Sequence, residues 1–426
     1  MPLRYRIFIL AACLMLMAYS FEIFPDSCVK SFLGQKEISP EQWAEDLEFL
    51  ANELPKKHKN LYHKISESEF QTQIDEFKAE LPSMDQTEIL VAIMKIIASV
   101  GDSHTTLGYR PQRALPLMLY WFKDGIAILN TTAEYKDILY GTIKSFGGSP
   151  VEEVVAALKT VIPHENEAQV KNNIPNTLTD TLILQGMKFI PSQESASLTV
   201  LTKSGRKVNV EMTPLSFSAK PQWLVDTSEE KDEPLYLKNR RQFYWYEILT
   251  YSKALFFKYN SCRNMPDRAF GDFVQTLFQE ADTERVEKII IDLRHNGGGN
   301  SGIFAPFLRE LKKRPRFMEK GNIYVLIGRR TFSSAILNAI DLKKQTPAIF
   351  AGEPTGGKPN HYGEVQMFLL PNSRLPVTYS IKYFKVLDSD PDSLEPDIHI
   401  ERRLTDYLKK TDPVLRSVLE RTQLRS

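Results

Sequence analysis

The stretch Lys288-Ile-Ile-Ile-Asp-Leu-Arg-His-Asn-Gly-Gly-Gly-Asn300 constrains the fold more than any other part of the chain. A short apolar run reads as a strand buried on both faces, and three consecutive glycines follow it in a loop free to take unusual dihedrals. The same pattern recurs around it. Phe243 to Leu249 and Ala254 to Tyr259 read as strands, and a helix with Phe270, Phe273, Leu277 and Phe278 on one side comes next. Strand and helix then alternate through Lys288 to Leu293, Ile303 to Leu311, Ile323 to Ile327, Ser333 to Leu342 and Ala348 to Gly352. Such alternation predicts an α/β fold over residues 240–420, with parallel strands covered on both faces. Functional groups are then expected on the loops at the C-terminal ends of those strands.

Upstream the pattern differs. Ser39-Pro40-Glu41-Gln42 is a capping box with proline at the first helical position, and Trp43, Leu47, Leu50 and Leu54 follow at helical spacing. Ser66 with Glu69 caps a second helix carrying Phe70, Ile74, Phe77 and Leu81, and a third runs from Gln86 to Val100 and stops at Gly101. These make a helical region over residues 39–108. Residues 115–215 carry short strands (Gly125 to Leu129, Tyr140 to Phe146), a helix from Val151 to Leu158, and a hairpin of Leu198 to Leu201 with Lys207 to Met212. That order, with the phrase Gly141-Thr-Ile-Lys-Ser-Phe-Gly-Gly-Ser-Pro150, resembles a PDZ-like domain holding an insertion at residues 163–194. A polar segment, Ser218 to Asn239, links it to the α/β region. At 426 residues the chain has room for roughly two to three domains.

Residues 1–24 read as a secretory signal or an uncleaved membrane anchor, because Arg4 and Arg6 precede the apolar run Ile7 to Phe21. Leu10-Ala-Ala-Cys13 resembles a lipobox, but the apolar run continues past Cys13, which favours cleavage near Ala18 to Phe21 or retention as an anchor. The mature chain is then expected outside the cytoplasm: periplasmic, secreted or membrane-anchored. Cys28 and Cys262 either pair there or remain free thiols; geometry decides. The formal net charge of +1 and the lack of a basic run argue against nucleic acid as a partner. The membrane enters only through the N-terminal segment, if that segment is uncleaved.

Four motifs carry chemistry. Thr331-Phe-Ser-Ser-Ala335 places Ser333 at the mouth of a helix, where unpaired amides and the positive dipole end lie; capping is the ordinary job of a serine there. Gly352-Glu-Pro-Thr-Gly-Gly-Lys358 puts Lys358 on a glycine loop 25 positions after Ser333, enough chain for one helix and one strand. A lysine desolvated among glycines has a lowered pKa and serves as a base, as in Ser-Lys pairs. The same glycine-lysine spacing suits a nucleotide-binding loop, but Pro359 stands where the Mg²⁺-ligating hydroxyl belongs. Asn296-Gly-Gly-Gly-Asn300 offers backbone amides, so Gly298 and Ser334 are the candidate oxyanion donors and Asn296 a supporting residue. Gly101-Asp-Ser-His-Thr-Thr106 holds His104, the second candidate base, beside Ser103.

On these residues the chain resembles, over residues 40–415, the C-terminal processing (tail-specific) serine peptidases and their tricorn-core relatives. The likeness is carried by Asp292-Leu-Arg-His-Asn-Gly-Gly-Gly299, Thr331-Phe-Ser-Ser-Ala335, Gly352-Glu-Pro-Thr-Gly-Gly-Lys358 and Glu395-Pro-Asp-Ile398. It implies a crotonase-like α/β core with a PDZ-like domain and a helical part, Ser333 as nucleophile and Lys358 as base. Gly101-Asp-Ser-His-Thr is closer to the tricorn branch, which implies Ser103 and His104 in the base's place and an acidic group for which Asp390 is the nearest match. The expectation is therefore a serine endopeptidase acting on protein or peptide substrates outside the cytoplasm through an acyl-enzyme, without metal or organic cofactor. The alternative is a non-catalytic peptide-binding scaffold on the same fold.

Overall fold

The computed structural model describes residues 38–225 and 233–423. The run Ile7 to Phe21, Cys13 and Cys28 lie outside the described residues, as does residue stretch 226–232 of the polar linker. Two compact units divide the described residues: one takes 38–164, 173–225 and 362–383; the other takes 165–172, 233–361 and 384–423.

The first unit opens with three helices: α1 (Pro40–Lys57), α2 (Glu67–Glu80) and α3 (Gln86–Ser99). Ser39, Ser66 and Asp85 each close a capping box at the start of a helix, satisfying backbone amides that the helix leaves unpaired. Trp43, Leu47, Leu50, Leu54, Phe70, Ile74 and Phe77 are buried along the predicted stripes. An antiparallel sheet follows, formed by β1 (Leu117–Phe122), β2 (Gly125–Thr131), β3 (Thr142–Phe146), then after α4 (Val151–Lys159) and α5 (Thr181–Gly186), β4 (Ala196–Leu201) and β5 (Lys207–Met212). Its strands stand in sequence order, β1-β2-β3-β4-β5.

The second unit is built on β6 (Tyr244–Leu249), β7 (Ala254–Tyr259), α6 (Phe270–Thr283), β8 (Lys288–Asp292), α7 (Ala305–Lys312), β9 (Ile323–Ile327), α8 (Ser334–Gln345) and β10 (Ile349–Gly352). A hairpin of β11 (His361–Leu369) and β12 (Pro376–Phe384), whose residues 362–383 belong to the first unit, comes next. The chain ends with the short β13 (Ile398–His399) and α9 (Pro413–Gln423). The six-stranded order is β13-β10-β9-β8-β7-β6. Only β6 runs antiparallel to its neighbour; the others are parallel.

Because the parallel strands are added in one direction, right-handed crossovers put α6, α7 and α8 on the same face. Phe273, Leu277, Phe307, Leu311, Ile336 and Ala339 from these helices pack there with Leu255, Phe257, Ile289, Ile291, Val325 and Ile327. The alternate strand residues Phe256, Ile290, Tyr324 and Leu326 face the other way and pack with Val414, Leu415 and Val418 of α9. Both faces are covered, as the apolar runs require. The hairpin β11–β12 and the helix α9 are elements the sequence reading did not place.

The end of β8 is pinned by buried charge. Asp292 Oδ2 accepts from Lys258 Nζ at 3.1 Å and from Arg294 Nη2 at 2.7 Å, and Arg294 reaches Asp412 with both terminal nitrogens at 2.9 and 2.7 Å. Asp412 in turn accepts the amides of Val414 and Leu415 at the start of α9. Burial alone raises a carboxyl, but the Arg294 and Lys258 charges outweigh it and hold Asp292 down at about 2. Its contribution to stability is thus complete above the ordinary value of 3.8 and is lost as pH falls through about 2. Asp292→Asn, which leaves two buried cations short of a counter-charge, is expected to cost about 3–5 kcal/mol in urea unfolding near neutral pH. A change below about 1 kcal/mol would show that the network is not a structural pin.

Candidate active site

Three adjacent parallel strands, β8, β9 and β10, end on one edge of the second unit's sheet, and their loops carry the candidate residues. One buried side chain ties these loops together. Thr331 Oγ1 donates to Leu293 O at 2.9 Å beyond β8 and accepts from Gly328 N at 3.0 Å beyond β9. The Thr331 carbonyl accepts the Gly356 amide at 3.1 Å beyond β10. The Phe332 amide donates to Asn296 O at 3.0 Å, which lays the serine turn along the triple-glycine loop.

Ser333 follows directly. It stands at φ 52°, ψ −128°, and its hydroxyl makes no capping bond to α8. The ordinary capping role is therefore not what holds this serine. A non-glycine residue in that region carries roughly 1–3 kcal/mol of strain and persists only where the surroundings over-determine it. The amides that open α8 lie at its side, led by that of Ser334. The Ser334 hydroxyl is spent elsewhere, donating to Gly299 O at 2.6 Å.

Gly298 is placed against the serine by its missing side chain. A Cβ there would lie 2.9 Å from Ser333 Cβ and 3.1 Å from Ser334 N, and φ is +115°. Its amide, an expected oxyanion donor, instead donates to Asn296 Oδ1 at 2.9 Å. Asn296 is fully buried, and its Oδ1 also lies 3.5 Å from the Cys262 thiol. Burial pushes that thiol up to about 12, so it is an inert hydrogen-bonding group behind the loop.

Lys358 departs from its expected state. Its Nζ lies 2.8 Å from Asp390 Oδ2 and 3.4 Å from Asp392 Oδ1. Burial pulls the lysine down, but hydrogen bonding to Asp390 and the two carboxylate charges outweigh it and raise its pKa above the usual value. The desolvated, weakly basic lysine expected from the glycine loop is corrected to a charged lysine in an ion pair. Its backbone is held as well: the Lys358 amide donates to Glu165 Oε2 at 2.7 Å. Asn166 Nδ2 donates to Thr355 O at 3.0 Å and to Asp392 O at 2.7 Å. Glu165 and Asn166 fall in the stretch read as an insertion, and nothing in their local sequence announced this role.

The other candidates lie in the first unit. Gly101 ends α3 at φ +72°, and residues 102–105 form a turn closed by Thr105 N to Asp102 O at 3.1 Å. Asp102 Oδ1 accepts the His104 amide at 3.0 Å, an Asx turn that an Asp two positions before the histidine encodes. His104 and Ser103 are buried, and His104 Nδ1 lies 3.7 Å from Asp102 Oδ1. Thr378 of β12 donates to His104 O at 2.8 Å and accepts from Thr106 N at 3.0 Å, bolting the turn to the hairpin. Asp102 is wholly buried. Burial raises it, yet its hydrogen bonds, chiefly with His104 and His58, hold it well below the usual carboxylate range. In the sequence alone Asp102 shows only as a polar neighbour of His104.

This architecture matches solved structures. Mature CPAF in complex with lactacystin aligns at a TM-score of 0.64 and 14% identity, covering 90% of this chain and 98% of that one. Mature CPAF alone aligns at 0.63 and 14% identity, over 89% and 96%. The chain has the CPAF fold. A point mutant of CPAF gives 0.60 at 14% identity, over 87% of this chain and 95% of its own. No family model matches the sequence, and no curated protein matches it.

The packing at Gly298 makes a direct prediction. Gly298→Ala forces a methyl against Ser333 and strains a backbone at positive φ. Reaction of Ser333 with a fluorophosphonate probe is expected to slow by about 100-fold or more, on the scale of a lost oxyanion donor. The far-ultraviolet circular dichroism stays unchanged. Labelling at the wild-type rate would mean that the loop does not shape the serine's surroundings.

Proposed function

We propose that this chain is a serine endopeptidase that hydrolyses protein substrates through an acyl-enzyme on Ser333. The observation that carries the reading is the strained Ser333 backbone at the mouth of α8, with no capping duty and with Gly298 packed against it. Strain of this kind collects where chemistry needs a side chain presented from an over-determined turn. The resemblance to the C-terminal processing and tricorn-type peptidases, and the shared fold with CPAF, support it. We read the second unit as a crotonase-like core, residues 115–215 as the PDZ-like domain, and residues 39–108 as the helical region. The extracytoplasmic setting rests on the N-terminal apolar run behind Arg4 and Arg6. Among the described residues no helix is long and apolar enough to cross a membrane.

In this reading Ser333 Oγ attacks the scissile carbonyl and His104 takes its proton. The base role goes to His104 because the ionised Asp102 beside it stabilises the imidazolium that forms. Lys358, already protonated and paired with Asp390 and Asp392, holds its loop in place. The Ser334 amide receives the oxyanion. The Gly298 amide joins it by exchanging Asn296 Oδ1 for the substrate oxygen, a swap of one acceptor for another that leaves no donor orphaned. His104 then returns the proton to the leaving amine, and water releases the acyl group.

Hydrolysis of an unfolded protein, read by peptide mass mapping, tests this. The wild type is expected to cleave and Ser333→Ala to be inactive; equal rates for the two would remove the enzyme reading. His104→Ala is expected to lower kcat by about 10³-fold or more, and Lys358→Gln by about tenfold or less. The opposite ranking would return the base role to Lys358.

A further inference from the structure

Asp102 is supplied with donors very unevenly. Its Oδ2 accepts three hydrogen bonds: from His58 Nε2 at 3.0 Å, from Thr105 Oγ1 at 2.6 Å and from Ser380 Oγ at 2.6 Å. Its Oδ1 accepts the His104 amide and faces His104 Nδ1. Thr105 belongs to the same turn and Ser380 to β12. His58 is different, since it arrives from the C-cap of α1, 44 residues upstream, and its side chain is as completely buried as the carboxylate.

The tautomer of His58 is set by its second partner. The Asn60 amide donates to His58 Nδ1 at 3.0 Å. Nδ1 is therefore the acceptor, and the ring proton sits on Nε2, where it is donated to Asp102. The ring is held in place by neighbours: Tyr362 at 5.3 Å between centroids and His63 stacked at 6.1 Å. Burial lowers the pKa of His63, which favours a neutral ring stacked on His58. A backbone amide thus fixes His58, His58 fixes one oxygen of Asp102, and the other oxygen is left turned to His104.

We propose that His58 is a positioning residue of the peptidase site: it anchors Asp102 Oδ2 so that Oδ1 faces His104 Nδ1, and thereby sets which nitrogen of His104 carries the proton. The inference rests on the reading of His104 as the base. With the proton on Nδ1, the lone pair of His104 lies on Nε2, the nitrogen that accepts from the hydroxyl in a serine–histidine pair. His58 touches neither substrate nor nucleophile; it acts through Asp102, as outer partners of a catalytic histidine do.

The experiment uses the full chain labelled with ¹⁵N-histidine, with long-range ¹H–¹⁵N correlation spectra to assign tautomers, alongside steady-state kinetics. In the wild type, His58 is expected with its proton on Nε2 and His104 with its proton on Nδ1. His58→Gln, whose amide keeps a donor near the Nε2 position, retains the His104 tautomer and a kcat within about threefold. His58→Met fills the volume without a donor; His104 then loses its tautomer preference and kcat falls by about 10–100-fold, with KM within about twofold. Three results would overturn the proposal: a wild-type His58 protonated on Nδ1, an unchanged His104 spectrum and kcat in His58→Met, or equal losses in the Gln and Met variants. The first is read without any substitution, so a Met variant that does not fold leaves the test standing. The spectra need no turnover either. If Ser333 proves inert, the coupling of His58 to His104 is still measured, and the two claims fail separately.

Discussion

The Thr331 hydroxyl is the contact on which the second unit's site depends. Parallel strands bring loops to a common edge, but they do not fix those loops against one another. Thr331 does so with two side-chain bonds and two backbone bonds, reaching Leu293, Gly328 and Gly356 on three different loops. Each partner is a backbone group that would otherwise be costly to bury. The strain at Ser333 can be held only because the residue two positions before it is so firmly placed.

Electrostatics then separates two candidates that look alike in sequence. A lysine among glycines and a histidine in a polar turn both read as bases. Lys358 meets carboxylates 32 and 34 positions away, and their charges overcome the desolvation that its own loop imposes. His104 has its carboxylate two positions away, in a turn that its own residues encode. The same kind of partner favours the protonated form of both, but from very different ordinary pKa values. A carboxylate beside a lysine locks the proton on, whereas one beside an imidazole supports a proton that comes and goes within the working range of pH.

Much of this was legible in the chain. The capping boxes at Ser39 and Ser66 announce α1 and α2, and the apolar runs around Asp292 announce the parallel sheet, because those signals are local. Ser333 was legible as a residue at a helix mouth but not as a strained one, since its φ and ψ come from Thr331, Phe332 and Gly298 acting together. Asp102 had a readable signal in the Asx-turn spacing. His58, Ser380, Glu165 and Asn166 had none, because each acts across a long sequence separation on a partner that no periodicity marks. The hairpin β11–β12 was missed for a related reason: Glu364, Gln366 and Met367 are all exposed although neighbouring strand residues point to opposite faces, and the run Met367 to Leu369 breaks the alternation.

The backbone of Ser333 also sets the fold against the chemistry proposed for this residue. Glycine would adopt φ 52°, ψ −128° without penalty and would relieve roughly 1–3 kcal/mol. The most comfortable residue for this turn is therefore one that cannot act as a nucleophile. With Ser333 as the proposed nucleophile, improvement of stability alone, by design or by screening, leads away from the proposed function at position 333.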